Sequence, residues 1–337
     1  MKKIYIDFEM NMPNTRSKIN TVNTDLIAIG AIQYDTNTKK LSKFKSLIKP
    51  ITNSHIYPHI QELTQITNEE LNNAPTYEEV MRKFKQWLGE FSEIQGIYTF
   101  GNLDLTCFNN TDKISSRKYN HPRFLNNIRD FFIDVKDKYL DCGIKCMNYI
   151  SLKNLLEFAN IEFKGDAHDP LNDAYNLFIL DETLETNENI RELLIIQDLM
   201  KSPFINLNYQ LSDKFETYKK YLYKQEGEYD LINLSIDVIN TIMLYIQSLI
   251  DIDINSMDTI RDIKKKIDTI EKIKNIKNGY FYVLENVCLD MKDLLDDLML
   301  YKLKPLEYKE ELKNIINLFE DDLSYEGINK GINIYCK

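Results

Sequence analysis

The stretch IYIDFEM, residues 4–10, decides how this chain is read. It sets two carboxylates, Asp7 and Glu9, two positions apart inside an apolar run. Side chains at i and i+2 of a β-strand share a face, so both acids project together from a strand whose other residues want burial. Two like charges side by side on a sheet repel, and desolvating them is costly. A hard divalent cation such as Mg²⁺ removes that conflict by taking carboxylate oxygens as ligands. Solvent at a strand end would also relieve it, and the heptapeptide alone leaves both readings open.

Outward from this strand, placed at residues 2–9, the chain has two more short apolar runs. Residues 25–35 (DLIAIGAIQYD) carry Gly30 in their middle, and residues 41–49 end at Pro50. Short connections make the three an antiparallel meander. Residues 58–66 and 76–91 are expected to be helical. In the second, Tyr77, Val80, Met81, Phe84, Trp87 and Leu88 recur at helical spacing behind Thr76, an N-cap with Glu79 three residues on. The stripe faces the core, so Trp87 is read as packing.

A fourth strand is expected at 95–100, a helix from Leu103, and a fifth strand within FFIDV (131–135) followed by a helix near 136–141. Further helices follow at 152–159 and 170–185. Strands alternating with helices after a meander indicate an α/β fold, a mixed sheet with helices on both faces.

This layout ends near residue 190. Apolar residues then recur at helical spacing over 230–252, 257–277, 279–301 and 306–320, with Lys304-Pro305 separating the last two. The expected organisation is a first domain over 1–188, a linker over 189–204 containing Ser202-Pro203, and an all-α domain over 205–337. The lysines at 264, 265, 266, 272, 274 and 277 alternate with acids and read as a solvated helix face.

The formal net charge is −10. That argues against binding long duplex through a general basic field, so any nucleic acid should be held locally. The five cysteines, Cys107, Cys142, Cys146, Cys288 and Cys336, are odd in number and lack zinc spacing. A reduced, cytoplasmic setting is expected. No apolar run reaches the ~20 residues of a membrane span.

Two further places concentrate reactive side chains. Asp104, in TFGNLDL (99–105), follows the fourth strand and opens a helix; alone it could simply favour the helix N-terminus. In AHDPLNDAYNLF (167–178), Asp169-Pro170 reads as N-cap and first helical position, which puts Asp173 on the first turn and His168 on the loop before it.

Together these residues resemble the DEDDh branch of the DnaQ-like 3′–5′ exonucleases, which have the RNase H-like fold. The D-x-E motif matches Asp7 and Glu9, the second motif matches Asp104, and H-x-x-x-x-D-A matches His168, Asp173 and Ala174. The GNLD form of the second motif resembles the exoribonuclease branch. Asn102 and Pro170 depart from the family's usual residues at those positions. The resemblance covers residues 1 to about 188 and implies a five-stranded RNase H-like sheet there. It also implies two divalent cations, Mg²⁺ or Mn²⁺, held by Asp7, Glu9, Asp104 and Asp173, with His168 as general base. The implied partner is the 3′ end of single-stranded nucleic acid, RNA favoured over DNA. Phe8, Met10, Leu103 and Phe108 are candidate contacts to the terminal nucleotides, though each also suits a core.

Two rival readings remain. A phosphodiesterase for very short oligonucleotides suits an acidic chain, because a tiny substrate needs no basic track. An interaction protein would instead work through the helical C-terminal half, which could also serve a homodimer or a protein partner.

Overall fold

The computed structural model describes residues 1–13, 24–139, 151–187, 249–271 and 281–320, with isolated positions between 190 and 247. The chain divides into two compact units, Met1–Leu140 with Asn148–Thr186, and Asp141–Met147 with Asn187–Lys337.

The first unit is built on a five-stranded sheet in the order β3-β2-β1-β4-β5. The strands are β1 (Lys2–Asn11), β2 (Asp25–Asp35), β3 (Leu41–Leu47), β4 (Ile94–Thr99) and β5 (Phe132–Asp134). β1 to β3 form the antiparallel meander expected from their short connections, while β4 and β5 run parallel to β1. Parallel pairing needs a crossover. α1 (Pro58–Thr64), α2 (Asn68–Asn73) and α3 (Tyr77–Leu88) supply the one before β4, and α4 (Leu103–Tyr119) the one after it. Next come α5 (Val135–Lys138), α6 (Leu152–Phe158) and α7 (Pro170–Thr186). This is the mixed α/β, RNase H-like architecture.

β1 is central, and its alternation sorts the two faces of the sheet. Ile4, Ile6, Phe8 and Met10 enter a core with Val80, Met81, Phe84 and Leu88 of α3 and Cys107 and Phe108 of α4. Trp87 packs against this core, stacked on Phe84 at 5.7 Å. The odd-numbered residues meet α7 and α1. Tyr5 lies edge-on to Phe178, its hydroxyl donating to Asp181 at 2.8 Å. The Asn11 carboxamide donates to the His55 carbonyl and accepts from the Tyr57 amide.

The capping box at Thr76 and Glu79 is present. The helix expected over 58–66 is α1, and α2 beyond it was not expected. α1 stops where Gln65 turns left-handed at φ 60°, and α2 starts at its own capping box, Thr67 with Glu70. NEELNN buries only Leu71, too little for a periodic signal.

In the second unit the described helices are α8 (Met257–Glu271), α9 (Phe281–Met299) and α10 (Pro305–Glu320), the last opening on the expected proline. Ile260, Ile263 and Ile267, Val287, Met291 and Leu295, and Tyr308, Leu312 and Ile316 are among their buried residues. Lys264 pairs with Asp296, and Lys292 with Asp268 at 2.9 Å, tying α8 to α9. Most of the helix expected over 230–252 and most of the linker over 189–204, together with Cys142, Cys146 and Cys336, lie outside the described residues. No described helix is long and apolar enough to cross a membrane.

Candidate active site

Three chain segments place the acidic residues. Asp7 and Glu9 stand on β1 opposite Gly30 and Ala28 of β2, on the face that meets α7. Asp104 sits in the first turn of α4, nearly buried, where its carboxylate accepts the Phe8 amide at 3.2 Å. That bond pins the start of α4 to β1 between the two strand acids. Asp173 lies in the first turn of α7 and accepts the His168 amide at 2.8 Å. His168 holds a left-handed backbone, φ 64°, and its side chain is exposed. Glu9, His168 and Asp173 each offer a ligand atom, all within 4.8 Å of one another.

The electrostatics join Asp7 and Asp104 to that trio. Burial, then repulsion from Asp104, Glu9 and Asp173, drives the Asp7 carboxyl well above the usual carboxylate range. Burial followed by Asp173 and Asp104 pushes Glu9 up to about 8. Asp104 rises to about 7 through burial, held back by the Phe8 amide and its own, with Asp134 and Asp173 opposing. Asp173 rises to about 6, from burial against the His168 amide, with Asp169 adding repulsion. Among the leading influences on Asp7 and Glu9 there is no cationic side chain. A converging, like-charged oxygen set of this kind is suited to hard divalent cations.

The sheet's alternation corrects part of the sequence reading. Phe8 and Met10 do not face Asp7 and Glu9. They are buried on the opposite side of β1, where the Phe8 and Phe108 rings meet at 5.1 Å, and Leu103 packs against the same core. Even-numbered residues of a strand cannot share the face of Asp7 and Glu9.

Other residues gain importance. Asp169 adds its charge to Asp7 and Glu9, accepts the Leu171 amide at 3.0 Å as the expected cap of α7, and pairs with Lys45 at 2.5 Å. Asp134 accepts the Gly101 amide at 2.9 Å, fixing the turn before α4. Gly30 had one visible signal, a glycine inside an otherwise β-forming run.

The family model named RNase T, described as Exonuclease, matches residues 4–180, a span that includes all five residues. The chain belongs to the RNase T family of DEDDh 3′–5′ exonucleases. None of the curated proteins matches it. Among solved structures, the nuclease domain of 3′hExo, a DEDDh family member bound to rAMP, is 21% identical with a TM-score of 0.43, covering 55% of this chain and 92% of that one. A full-length 3′-exonuclease is 18% identical with a TM-score of 0.42, over 55% of this chain and 60% of its own. E. coli Exonuclease I in complex with a dA16 oligonucleotide is 15% identical with a TM-score of 0.43, over 59% and 45%. The chain spans less than two thirds of the full-length 3′-exonuclease, and its family membership rests on the match over residues 4–180. DEDDh exonucleases use divalent metal ions.

Proposed function

We propose that this exonuclease removes nucleotides from the 3′ end of single-stranded nucleic acid, RNA in preference to DNA, releasing nucleoside 5′-monophosphates. The observation that carries the reading is the convergence of Glu9, Asp173 and His168 within 4.8 Å, with Asp7 and Asp104 electrostatically joined to them. The RNA preference is supported by the GNLD form around Asp104 alone.

In this reading Asp7, Glu9, Asp104 and Asp173 hold two divalent cations, Mg²⁺ or Mn²⁺. When bound, such ions offset the charge on the phosphodiester, acidify the attacking water and stabilise the leaving oxygen. The protein's own contributions are separate. The Phe8 amide keeps Asp104 aimed between the strand acids. The His168 ring, exposed beside Glu9 and Asp173, takes the proton from the attacking water. Its backbone is anchored through the bond to Asp173, so only the ring must find the water.

The test uses 5′-labelled single-stranded RNA and DNA 20-mers and a dinucleotide, each with Mg²⁺, Mn²⁺ or chelator. Stepwise shortening from the 3′ end with mononucleotide release, lost in Asp7→Asn, is expected. Internal cleavage, or undiminished activity in Asp7→Asn, would overturn the reading. Faster cleavage of the dinucleotide than of the 20-mer would make the enzyme an oligonucleotide phosphodiesterase instead.

A further inference from the structure

The loop that carries His168 is bound to α7 at three points. Asn176, one turn beyond Asp173, is completely buried. Its carboxamide accepts the Lys164 amide at 2.9 Å and donates to the Lys164 carbonyl at 2.9 Å and to the Asn172 carbonyl at 2.8 Å. The reciprocal pair with Lys164 imitates a peptide in a β-ladder, with a side chain as the partner strand. Further along, the Asn172 carboxamide donates to the Asp166 carbonyl at 3.2 Å. Gly165 has φ +79°, and a Cβ there would meet Asn172 Nδ2 at 2.4 Å, so the loop lies flat on the helix only because this residue is glycine. The loop then ends on the His168–Asp173 bond.

Asn172, Asp173 and Asn176 stand at i, i+1 and i+4 of α7, so three neighbouring side chains receive the whole of 164–168. Asp173 is one of the proposed metal-holding acids, and Asn172 touches the loop's middle. Asn176 reaches neither metal nor substrate in the proposed reading. Its two bonds to Lys164 fix where the loop meets the helix, and therefore where His168 arrives four residues later.

We propose that Asn176 is a positioning residue for His168. It acts through the 164–168 loop, so that the imidazole arrives beside Glu9 and Asp173 already oriented. The proposal rests on the reading of His168 as general base. A buried carboxamide with its donors satisfied holds one geometry, whereas solvated loop ends sample many. Lys164 is exposed, so water can take over its backbone groups when the carboxamide is removed. The expected consequence is a displaced base rather than an opened core, and a misplacement of about 1 Å costs up to roughly a hundredfold in rate.

The experiment is a double-mutant cycle on the full chain, with Asn176→Ala, His168→Ala and the pair assayed on a single-stranded 20-mer with Mn²⁺. Asn176→Ala should lower kcat roughly ten- to a hundredfold, with KM and calorimetric Mn²⁺ affinity held within about twofold. In the His168→Ala background the same substitution should change kcat less than about twofold, since there is no base left to misplace. A merely structural role would give the same loss in both backgrounds, or a loss of Mn²⁺ binding, and either result overturns the proposal. So does undiminished kcat in Asn176→Ala. If Asn176→Ala does not fold, Asn176→Asp, which keeps the acceptor for the Lys164 amide, is put through the same cycle and judged by the same criteria. Undiminished activity in His168→Ala alone would instead sink the general-base reading, which keeps the two failures apart.

Discussion

Gly30 lies under Pro170 with no room for a side chain. A Cβ on Gly30 would stand 2.1 Å from the Pro170 carbonyl carbon and 2.2 Å from the Leu171 nitrogen. Gly30 is also the β2 residue paired with Asp7. The absence of one methyl group therefore lets the first turn of α7, with Asp173, settle onto the sheet beside the strand acids.

Gly30→Ala should consequently separate the two halves of the site. The clash is with backbone, which cannot rotate away, so a cost of about 1–3 kcal/mol in stability is expected. Mn²⁺ affinity and activity should fall at least tenfold. Gly96→Ala is the control: its Cβ would meet Ile133 Cδ1 at 2.7 Å and the Tyr98 ring, both ends of side chains. Calorimetry and denaturant unfolding of both variants decide the point, and equal metal affinity in Gly30→Ala and Gly96→Ala would contradict it.

Asp104→Asn keeps an oxygen to accept the Phe8 amide but removes a repelling charge. The metal-free variant should be more stable than the parent at pH 8, because its neighbours lose an unfavourable partner. Turnover should drop by roughly a hundredfold or more, since the lost charge is one that the proposed ions require. Paired measurements of Tm in chelator and of initial rate in Mn²⁺ test both halves.

The acids also predict a pH dependence with a definite sign. In the folded chain Glu9 titrates at about 8 and Asp104 at about 7, both above the usual carboxylate range near 4. Between those limits the folded state binds more protons than the unfolded one. The stability these groups contribute is therefore complete below about pH 4 and falls as pH rises towards 8. A divalent cation competes with those protons, so its binding strengthens over the same interval. The gain in Tm on adding Mn²⁺ should be larger at pH 8.0 than at pH 5.5; a smaller gain at pH 8.0 would contradict the assignment.

A second ionic cluster, at the other end of β1, should matter for stability alone. Lys3, nearly buried, reaches Glu182 at 2.7 Å and Glu185 at 2.5 Å, with Asp181 at 3.9 Å. Lys138 reaches the fully buried Asp181 at 2.7 Å. Lys3→Met leaves Asp181 with one cation fewer and should cost about 3 kcal/mol in urea unfolding. Mn²⁺ affinity should stay unchanged, because the lost cation holds the far half of α7 and not its first turn.

Much of the first unit could be read locally. Short apolar runs marked β1 and β2, and the Thr76–Glu79 box marked α3, since each signal lies within a few residues. α2 was invisible because so short a helix buries one side chain. Phe8 and Met10 lie within the motif, yet they turn away from the site; alternation separates the faces but does not say which one the distant α7 will cover. Nothing in residues 164–176 announced that Asn176 would stand in for a backbone strand.

The order and chemical type of Asp7, Glu9, Asp104, His168 and Asp173 were carried by sequence, since a motif is a local pattern of side chains. Their meeting was a matter of tertiary structure alone. It needed β1 at the centre of the sheet, α4 pinned through the Phe8 amide, and α7 lowered onto Gly30. Contacts across some 170 positions depend on how faces pack and loops close, and no short window of residues encodes that.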